Sequence, residues 1–303
     1  MTRLALRGVR IGFLDNLHPP GYRGALAECL VPLLREAGAH LDVVHAERGL
    51  HRLDAPPQWD LVVLRSGSGA ALRLAAAAEA WGVPCVNPTD ATRLAQDKLA
   101  STAILQRAGL PIAPAHLAWL GPGLASPTER PRRPARELSA VADRTLVIKP
   151  AHGSHGAGLR TTAPGQLPRF APTLPEGPYL LMERIPHNGD DLKVFVAGEW
   201  LKAIERPFPA TTLAAKLGHL VPVPHDAAAV AREAGRLLGL TCFGCDFVRG
   251  PRGWVLVDVN AFPGYKGAEG APGALANEIA RVAAEARRRS APGPAGHAAF
   301  GGN

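Results

Sequence analysis

The segment GCDFVRGPRGWVLVDVNAFPGYKG, residues 244 to 267, places polar side chains inside two apolar stretches. Residues 244–250 and 253–260 are typical of two β-strands joined by a short turn, and they predict a hairpin. Side chains two positions apart lie on the same face of a strand. Asp258 and Asn260 therefore share one face of the second strand.

Asp246, in the first strand of this hairpin, brings a third oxygen-bearing side chain to the pair Asp258 and Asn260. A carboxylate inside an apolar strand costs about several kcal/mol unless it is paired or bound to a metal. Carboxylate and amide oxygens are the ligands that Mg²⁺ prefers, with phosphate oxygens and water completing its coordination. The three residues therefore predict a magnesium site, although Asn260 alone, before Phe-Pro-Gly, is equally typical of a turn cap.

A lysine and a glycine-rich loop follow another predicted strand, residues 145–150, in the sequence TLVIKPAHGSHGAG. Lys149 ends this strand, and Gly153, Gly156 and Gly158 let a loop bring backbone N–H groups against phosphates. The loop is not a Walker motif, because no Gly-Lys-Ser/Thr follows. A surface turn is an equally good explanation of the glycines alone.

The strand YLLMERI, residues 179–185, ends in a carboxylate and runs into a polar turn. Such a segment could present backbone groups to an adenine edge and the Glu183 carboxylate to a ribose. By itself it predicts only a strand followed by a turn.

The order of the predicted elements changes near residue 140. Strands at 9–15, 41–46, 59–65 and 83–87 alternate with helices at 26–38 and 70–82, which predicts βαβ units and a parallel sheet. A helix at 92–109 follows. After residue 140 the strands predict antiparallel hairpins, one of them formed by residues 191–198 and 200–208, with helices at 226–240 and 273–289. No GxGxxG motif follows the first strand, so a dinucleotide-binding fingerprint is absent.

The composition, 47% hydrophobic and 20% charged residues, is typical of a globular protein. The chain has no uninterrupted apolar run long enough to cross a membrane, and its start is a poor signal peptide, so a cytoplasmic location is expected. Its net charge is +8, but the basic runs at 130–136 and 286–290 have no interleaved aromatic residues, which argues against nucleic-acid binding. Cys242 and Cys245 form one CxxC, whose alternation predicts buried, reduced thiols on opposite faces of a strand rather than a zinc site.

In their order along the chain, these segments resemble the ATP-grasp enzymes. The segments that carry the resemblance are Asp-Lys at 97–98, IKP with the glycine-rich loop, MERI, DLKVFVAG, AIERP, GCDFV and DVNAFPG, over roughly residues 85 to 270. The resemblance implies an α/β fold, α+β in its C-terminal part, in which a parallel βαβ pre-domain precedes two antiparallel-sheet subdomains that sandwich ATP. The implied division is a pre-domain at 1–88, a central subdomain at 89–187, a C-terminal subdomain at 188–290 and a flexible tail at 291–303.

Two branches of this superfamily are similar to the chain. NPTDATRLAQDKLAS, DLKVFVAG, AIERP and GCDFV resemble the ribosomal-protein glutamate ligases and related carboxylate–amine ligases. KVFVAGEWLKAIERPFP and VDVNAFPGYKG are also similar to the inositol tris/tetrakisphosphate kinases. The chain departs from both branches at Lys266, which replaces an acidic residue, and its first strand lacks the substrate-binding lysine of the kinases.

The resemblance also implies roles for individual residues. The implied ATP-binding residues are Lys98, Lys149, Gly153, Ser154, His155, Gly156, Gly158, Glu183, Arg184, Ile185, Asp191 and Lys216. The implied metal ligands are Asp246, Asp258 and Asn260. Lys193 and Arg206 are the implied catalytic residues, beside the transferred phosphate. The implied acceptor-binding residues are Arg65, His155, Lys193, Arg206, Asn260 and Gly264.

The first functional hypothesis is therefore an ATP-dependent carboxylate–amine ligase that works through an acyl phosphate, with ATP and Mg²⁺, or Mn²⁺ in its place. Its partners would be a small-molecule carboxylate and an amine. The alternatives are a small-molecule kinase acting on a polyol phosphate and an ATP-binding protein without turnover. A homo-oligomer is compatible with the sequence, which does not define the oligomeric state.

Overall fold

Three β-sheets follow one another along the chain in the computed structural model, which describes residues 6–16, 25–122, 143–152, 158–208, 210 and 212–290. The first sheet is parallel, with the strand order β2-β1-β3-β4. Its strands are β1 (Arg10–Leu14), β2 (His40–Val44), β3 (Leu61–Leu64) and β4 (Cys85–Val86), and its helices are α1 (Ala25–Glu36) and α2 (Gly69–Ala80). The βαβ prediction for this part of the chain is confirmed.

The second sheet is antiparallel, with the strand order β5-β8-β6-β7. Helices α3 (Thr89–Gln96) and α4 (Lys98–Arg107) precede it. Its strands are β5 (Ala115–Leu120), β6 (Leu146–Pro150), β7 (Arg160–Thr162) and β8 (Gly177–Glu183), with a short helix α5 (Leu167–Phe170) and a 3₁₀ turn at Ala171–Thr173 before β8.

The third sheet is also antiparallel and has five strands in the order β11-β10-β9-β12-β13. Its strands are β9 (Asp190–Ala197), β10 (Trp200–Pro207), β11 (His219–Val221), β12 (Cys242–Gly250) and β13 (Gly253–Ala261). Its helices are α6 (Leu213–Leu217), α7 (His225–Leu238) and α8 (Ala271–Ser290). The two predicted hairpins, β9–β10 and β12–β13, are therefore confirmed.

The helix predicted at residues 92–109 was wrong as one element, because the chain breaks it at Asp97. Asp97 has extended backbone angles, and its carboxylate accepts hydrogen bonds from the N–H groups of Leu99 and Ala100, both at 3.0 Å. This is N-cap geometry, so a second helix, α4, begins at Lys98. The break fixes the position of Lys98 at a helix start.

Several short elements were not predicted: β5, β7, β11, α5 and α6. Strand β5 lies at the edge of the second sheet, where Leu117 and Trp119 are 66% and 62% exposed. A strand with exposed apolar side chains lacks the apolar-in, polar-out alternation that predicts a half-buried strand. The remaining elements are only three to five residues long.

The third sheet buries both of its faces. One face, with Phe195 and Cys242, packs into the same core as β1, α1 and α8. The opposite face, with Phe243 and Cys245, packs against α7. The two cysteines thus lie on opposite faces, are free thiols and are buried, as predicted.

A fully buried asparagine joins the first sheet to the third. Asn87 follows β4, and its side-chain N–H donates to the Cys242 carbonyl at 2.7 Å. Its side-chain oxygen accepts from the N–H groups of Thr241 and Cys242 at 2.9 and 2.8 Å. Three hydrogen bonds to one buried amide hold the start of β12 against the parallel sheet.

No helix within the described ranges has both the length and the apolar character needed to cross a membrane. The tail at 291–303, for which flexibility was expected, lies outside the described residues. So does the basic run at 130–136.

Candidate active site

One face of the third sheet carries charged side chains on four neighbouring strands. The ladder pairs Arg206 on β10 with Asp191 on β9, and Lys193 on β9 with Asp246 on β12. It also pairs Asp246 with Asp258 on β13. Directly paired residues share a face, so the register alone brings these side chains together.

Each of the paired carboxylates, Asp246 and Asp258, has its own lysine. Lys193 Nζ lies 2.6 Å from Asp246 Oδ1, and Lys98 Nζ lies 2.7 Å from Asp258 Oδ1. Asn260 donates its side-chain amide to Oδ2 of Asp246 at 3.0 Å and to Oδ2 of Asp258 at 3.4 Å. The lysines offset the repulsion between the two carboxylates, and the amide lies between their remaining oxygens.

A β-bulge in β13 brings Lys149 to this cluster. Asp246 pairs with Asp258 but Phe247 pairs with Leu256, so Val257 has no partner across the ladder. The carbonyl of Val257 instead accepts a hydrogen bond from Lys149 Nζ at 2.6 Å. Lys149 therefore crosses from β6 of the second sheet to β13 of the third.

The electrostatics of the cluster change two pKa values in characteristic directions. Burial lowers the pKa of the Lys149 ammonium, and the neighbouring Asp258 carboxylate opposes that shift. Burial alone would raise the pKa of the Asp258 carboxyl. The positive charges of Lys98 and Lys149 have the larger effect, so this pKa is lowered. The carboxylate of Asp258 is thus held in its charged form, which is the form that binds a cation.

Arg206 links the cluster to Asp191, which is 1% exposed. Its Nε and Nη2 donate to the two oxygens of Asp191 at 2.7 and 2.9 Å, and Nη2 also lies 3.1 Å from Asp246 Oδ1. Burial raises the pKa of the Asp191 carboxyl, while the hydrogen bonds from Arg206 oppose that shift.

A narrow cleft of about 20 Å³ lies between the second sheet and the third beside these residues. Leu180 and Met182 line it from β8 and Leu256 lines it from β13, while Lys98 and Lys149 lie at its polar side. Apolar walls with a few convergent charges are typical of sites for small organic ligands.

The segment Glu183–Ile185, predicted to hold adenine, lies at the end of β8. The N–H of Glu183 donates to Pro114 and that of Arg184 donates to Thr145, both at 2.9 Å. Among the described residues the N–H of Ile185 has no hydrogen-bond acceptor. The Glu183 carboxylate contacts the guanidinium of Arg144, a partner that no sequence motif indicates.

The remaining predicted site residues do not contact this cluster. Arg65 forms an ion pair with Asp15 at the ends of β3 and β1, and its Nε has no hydrogen-bond partner among the described residues. Lys216 lies in the last turn of α6. Gly264 follows β13, with the Lys266 side chain 3.8 Å from the position that a Cβ would take. Four residues of the glycine-rich loop lie outside the described residues: Gly153, Ser154, His155 and Gly156. Gly158 is the first described residue after this gap.

The sequence also gave no reason to single out Gly244 and Tyr265. A Cβ on Gly244 would lie 3.2 Å from Pro263 and 3.4 Å from Cε of Lys193, so a larger residue would press on the lysine. Tyr265 adopts a positive φ of 47°, and its buried hydroxyl donates to the Val196 carbonyl at 2.6 Å. Backbone strain of this kind often accompanies functional sites.

The donor set fits a hard divalent cation. No group of three or more His, Cys, Asp or Glu side chains suited to a metal occurs in the part of the chain that the structure describes. The cluster instead offers two carboxylates and one amide, and rotation of the Asn260 amide would present its oxygen to the space between the carboxylates. Oxygen-only ligands of this kind suit Mg²⁺ rather than Zn²⁺.

Comparison with known proteins gives the context of this cluster. No protein-family model matches the chain. A probable α-L-glutamate ligase of Shewanella loihica is 28% identical over 232 residues, which cover 72% of this chain and 73% of that protein. The ribosomal protein bS6–L-glutamate ligase of Salmonella schwarzengrund is 30% identical over 271 residues, which cover 82% of each chain. The chain belongs to this family of glutamate ligases.

The solved structures agree on the fold of this ligase. An ATP-grasp protein with a RimK domain from Sphaerobacter thermophilus superimposes with a TM-score of 0.66 at 18% identity, covering 91% of this chain and 99% of that one. The predicted ATP-grasp fold, with a parallel sheet before two antiparallel sheets, is therefore confirmed. The family makes the protein an ATP-dependent carboxylate–amine ligase, which forms a C–N bond, and gives no support to the inositol kinase alternative.

Proposed function

We propose that the ligase binds Mg²⁺–ATP between its second and third sheets, with Asp246, Asp258 and Asn260 as the metal ligands. The observation that supports this most strongly is the direct pairing of Asp246 with Asp258 across the β12–β13 ladder. Asn260 joins the two carboxylates by its amide. A bound Mg²⁺ would neutralise charge on the β- and γ-phosphates and orient them. Mn²⁺ would serve in its place.

On the nucleotide side, Lys98 and Lys149 would contact the phosphates, and adenine would enter the apolar cleft as the second and third sheets move apart. The bulge supports this role for Lys149, because among the described residues the ammonium has a single hydrogen-bond acceptor, the Val257 carbonyl. The glycine-rich loop from Gly153 to Gly158 would cover the phosphates, and Lys216 would approach them from α6. The segment Glu183–Ile185 would meet the base edge, for which the Ile185 N–H is available.

On the acceptor side, Lys193 and Arg206 would neutralise the transferred phosphate. Both donate to Asp246 in the structure and lie on the same sheet face as the metal ligands. Arg65 would hold the acceptor carboxylate, and Gly264 would border the acceptor. His155, in the glycine-rich loop, would close the site from the other side.

The reaction supported by this arrangement has two steps. A substrate carboxylate oxygen attacks the γ-phosphorus, the bond to the β-phosphate oxygen breaks, and an acyl phosphate and ADP result. The amine nitrogen then attacks the acyl carbon, and inorganic phosphate leaves with a proton released from nitrogen. The chain supplies orientation and charge neutralisation, which are the main contributions of proteins to phosphoryl transfer.

The substrates of this ligase would be a carboxylate and an amine of which at least one is an α-amino acid. The names of the two relatives, both L-glutamate ligases, make L-glutamate the first candidate. The net charge of +8 favours acidic substrates through long-range attraction. Each of the three sheets would form one domain, divided near residues 88 and 187, and the enzyme would act in the cytoplasm.

The experiment that tests this function is ADP release from purified protein and Mg²⁺–ATP in the presence of substrate pools. Amino acids and short peptides are supplied as carboxylates and amines, first separately with blocked partners and then together. The proposal expects ADP release only when a free carboxylate and a free amine are both present, and only with Mg²⁺ or Mn²⁺. ADP release that requires only a hydroxyl compound, such as an inositol phosphate, and no amine would contradict the proposal.

A further inference from the structure

The loop between β13 and α8 is fixed against β9 by Tyr265. Phe262 and Tyr265 have φ values of 39° and 47°, a backbone region that residues other than glycine rarely adopt. The Tyr265 ring stacks on Phe195 with the ring centroids 5.3 Å apart, and its buried hydroxyl donates to the Val196 carbonyl at 2.6 Å. Strained backbone persists only where the surrounding contacts impose it, so the residues next to Tyr265 take defined positions.

This loop passes between Lys193 and the end of α6. On one side, Pro263 Cγ lies 3.2 Å and Lys193 Cε lies 3.4 Å from the position that a Cβ on Gly244 would take. On the other side, the carbonyl of Leu217, the last residue of α6, lies so close to Gly267 that a Cβ there would overlap it. The loop therefore borders the charged face of the third sheet, on the side proposed for the acceptor.

Lys266 places an ammonium group in this loop without a protein anion beside it. The residue is half-buried, and its Cγ and Cε both lie 3.8 Å from the position of a Cβ on Gly264, so its stem runs along that glycine. Lys193 and Arg206, by contrast, both donate to Asp246. Within the part of the chain that the structure describes, Lys266 makes no hydrogen bond or ion pair. Its ammonium is therefore open to an anionic group of a ligand.

The position of Lys266 indicates which substrate group it can meet. In the proposed reaction the amine nitrogen lies near Lys193 and Arg206, because these two residues surround the transferred phosphate. The α-carboxylate of an amino acid is next to that nitrogen and stays near the same cations. Lys266 lies beyond Gly264 and can meet a group farther along the substrate. An ammonium favours a carboxylate over a neutral amide, because charge-assisted hydrogen bonds are about twice as strong as neutral ones.

We propose that Lys266 is a specificity-determining residue, which binds the side-chain carboxylate of the amine substrate. The ligase would then select an amino acid with an acidic side chain, such as L-glutamate or L-aspartate. The inference rests on the proposed function, because it needs an amine substrate beside Lys193 and Arg206. Lys266 has no part in nucleotide binding or in phosphoryl transfer.

The test compares acidic amino acids with their neutral amides as amine substrates. L-glutamate is paired with L-glutamine and L-aspartate with L-asparagine, since each pair has the same length and differs by one charge. A pool of N-acetylated amino acids and peptides supplies the carboxylate, and the amide product is identified by mass spectrometry alongside ADP release. For wild type we expect kcat/KM to be about 10- to 100-fold higher for the acid than for its amide in at least one pair.

Three variants separate the charge of Lys266 from other effects. Lys266→Gln should lower kcat/KM for the preferred acid by about 10- to 100-fold, through KM, and leave the amide within about twofold of wild type. Lys266→Arg keeps the charge and should retain the preference. Arg252→Gln, at the exposed turn of the β12–β13 hairpin, removes the same charge from the chain and should behave as wild type. An unchanged KM for ATP shows that each variant is folded.

Three results would overturn the inference. The first is a preference for the acid that persists in Lys266→Gln. The second is an equal loss for the acid and its amide in that variant, which would mean that Lys266 meets a group shared by both. The third is a loss of preference in Lys266→Arg as large as in Lys266→Gln, which would mean that the shape of the loop, not its charge, determines the selection.

The failure of the proposed function has a different signature. If no combination of a carboxylate and an amine supports ADP release from wild type, the ligase function is wrong and the inference falls with it. If wild type forms amides but uses neutral or basic amino acids as well as the acidic ones, the ligase function stands and only the role of Lys266 is refuted.

Discussion

Asp246 and Asp258 face each other as a directly paired couple across the β12–β13 ladder, and each carboxylate is bound by a lysine from a different element. Lys193 reaches Asp246 from β9, and Lys98 reaches Asp258 from the first turn of α4. Two like charges opposite one another in a sheet are destabilising unless something compensates them. The proposed divalent cation, bound between them beside Asn260, would account for this arrangement of two carboxylates.

The first prediction concerns Asn260. Asn260→Ala removes an amide that lies 3.0 Å from Asp246 and 3.4 Å from Asp258 and that would supply a metal ligand. We expect kcat/KM to fall roughly 100-fold, or about 3 kcal/mol, with a higher Mg²⁺ concentration needed for half-maximal ADP release. Arg252→Ala, at the exposed turn of the same hairpin, is the control and should behave as wild type. Unchanged turnover in Asn260→Ala would refute the metal assignment.

The second prediction concerns Lys149, which is 8% exposed and bound to the Val257 carbonyl. Lys149→Met should weaken ATP binding by about 10- to 100-fold, because a charge-assisted contact contributes about 1.5–3 kcal/mol. The variant also leaves the Val257 carbonyl without its donor, so the free energy of unfolding should fall by about 1–3 kcal/mol. Lys202→Met, which changes a half-buried lysine on β10, is the matched control. ATP affinity is measured by calorimetry. Equal affinities of Lys149→Met and Lys202→Met would show that Lys149 does not bind the nucleotide.

The third prediction concerns the contact between the first and third sheets. Asn87→Ala leaves three buried backbone groups of Thr241 and Cys242 without their partner. Each unsatisfied group costs about 1–3 kcal/mol, so the free energy of unfolding should fall by at least about 3 kcal/mol in urea titration. Asn277→Ala, on the exposed surface of α8, should change it by less than about 0.5 kcal/mol. Equal stability of the two variants would show that Asn87 does not join the sheets.

The fourth prediction concerns the cysteines. Cys29 is exposed, whereas Cys85, Cys242 and Cys245 are buried, and burial raises the pKa of each of these three thiols well above its ordinary value. A thiol with a raised pKa stays protonated and unreactive in mildly alkaline solution. Native protein should therefore react with one equivalent of a disulfide reagent at pH 8 to 9, and Cys29→Ser with none. Rapid reaction of Cys242 and Cys245 would mean that the CxxC is accessible.

Much of the cluster of Asp246, Asp258 and Asn260 could be predicted from the sequence because it depends on strand alternation. Asp258 and Asn260 share a face in any regular strand, and the short turn between β12 and β13 makes Asp246 their neighbour. The ordered motifs from Lys98 to Asn260 similarly pointed to the ATP-grasp fold, which the solved structures confirm.

The remaining contacts depend on register and tertiary packing, which local patterns do not encode. The bulge at Val257 shifts the ladder by one residue and creates the carbonyl that holds Lys149. The pairing of Asp191 with Arg206 requires the register of β9 on β10. Strand β5 escaped prediction because its exposed Leu117 and Trp119 do not alternate with polar residues as in a half-buried strand.

The central claim, ligation through an acyl phosphate, is tested most directly by isotope transfer. The amino acids that support ADP release are labelled with ¹⁸O in their carboxylates, and the phosphate formed with Mg²⁺–ATP is examined by ³¹P nuclear magnetic resonance. Attack of a carboxylate oxygen on the γ-phosphorus predicts one ¹⁸O in each phosphate released for every amide formed. Unlabelled phosphate accompanying amide formation, or a γ-phosphate retained in a stable ester, would contradict the account.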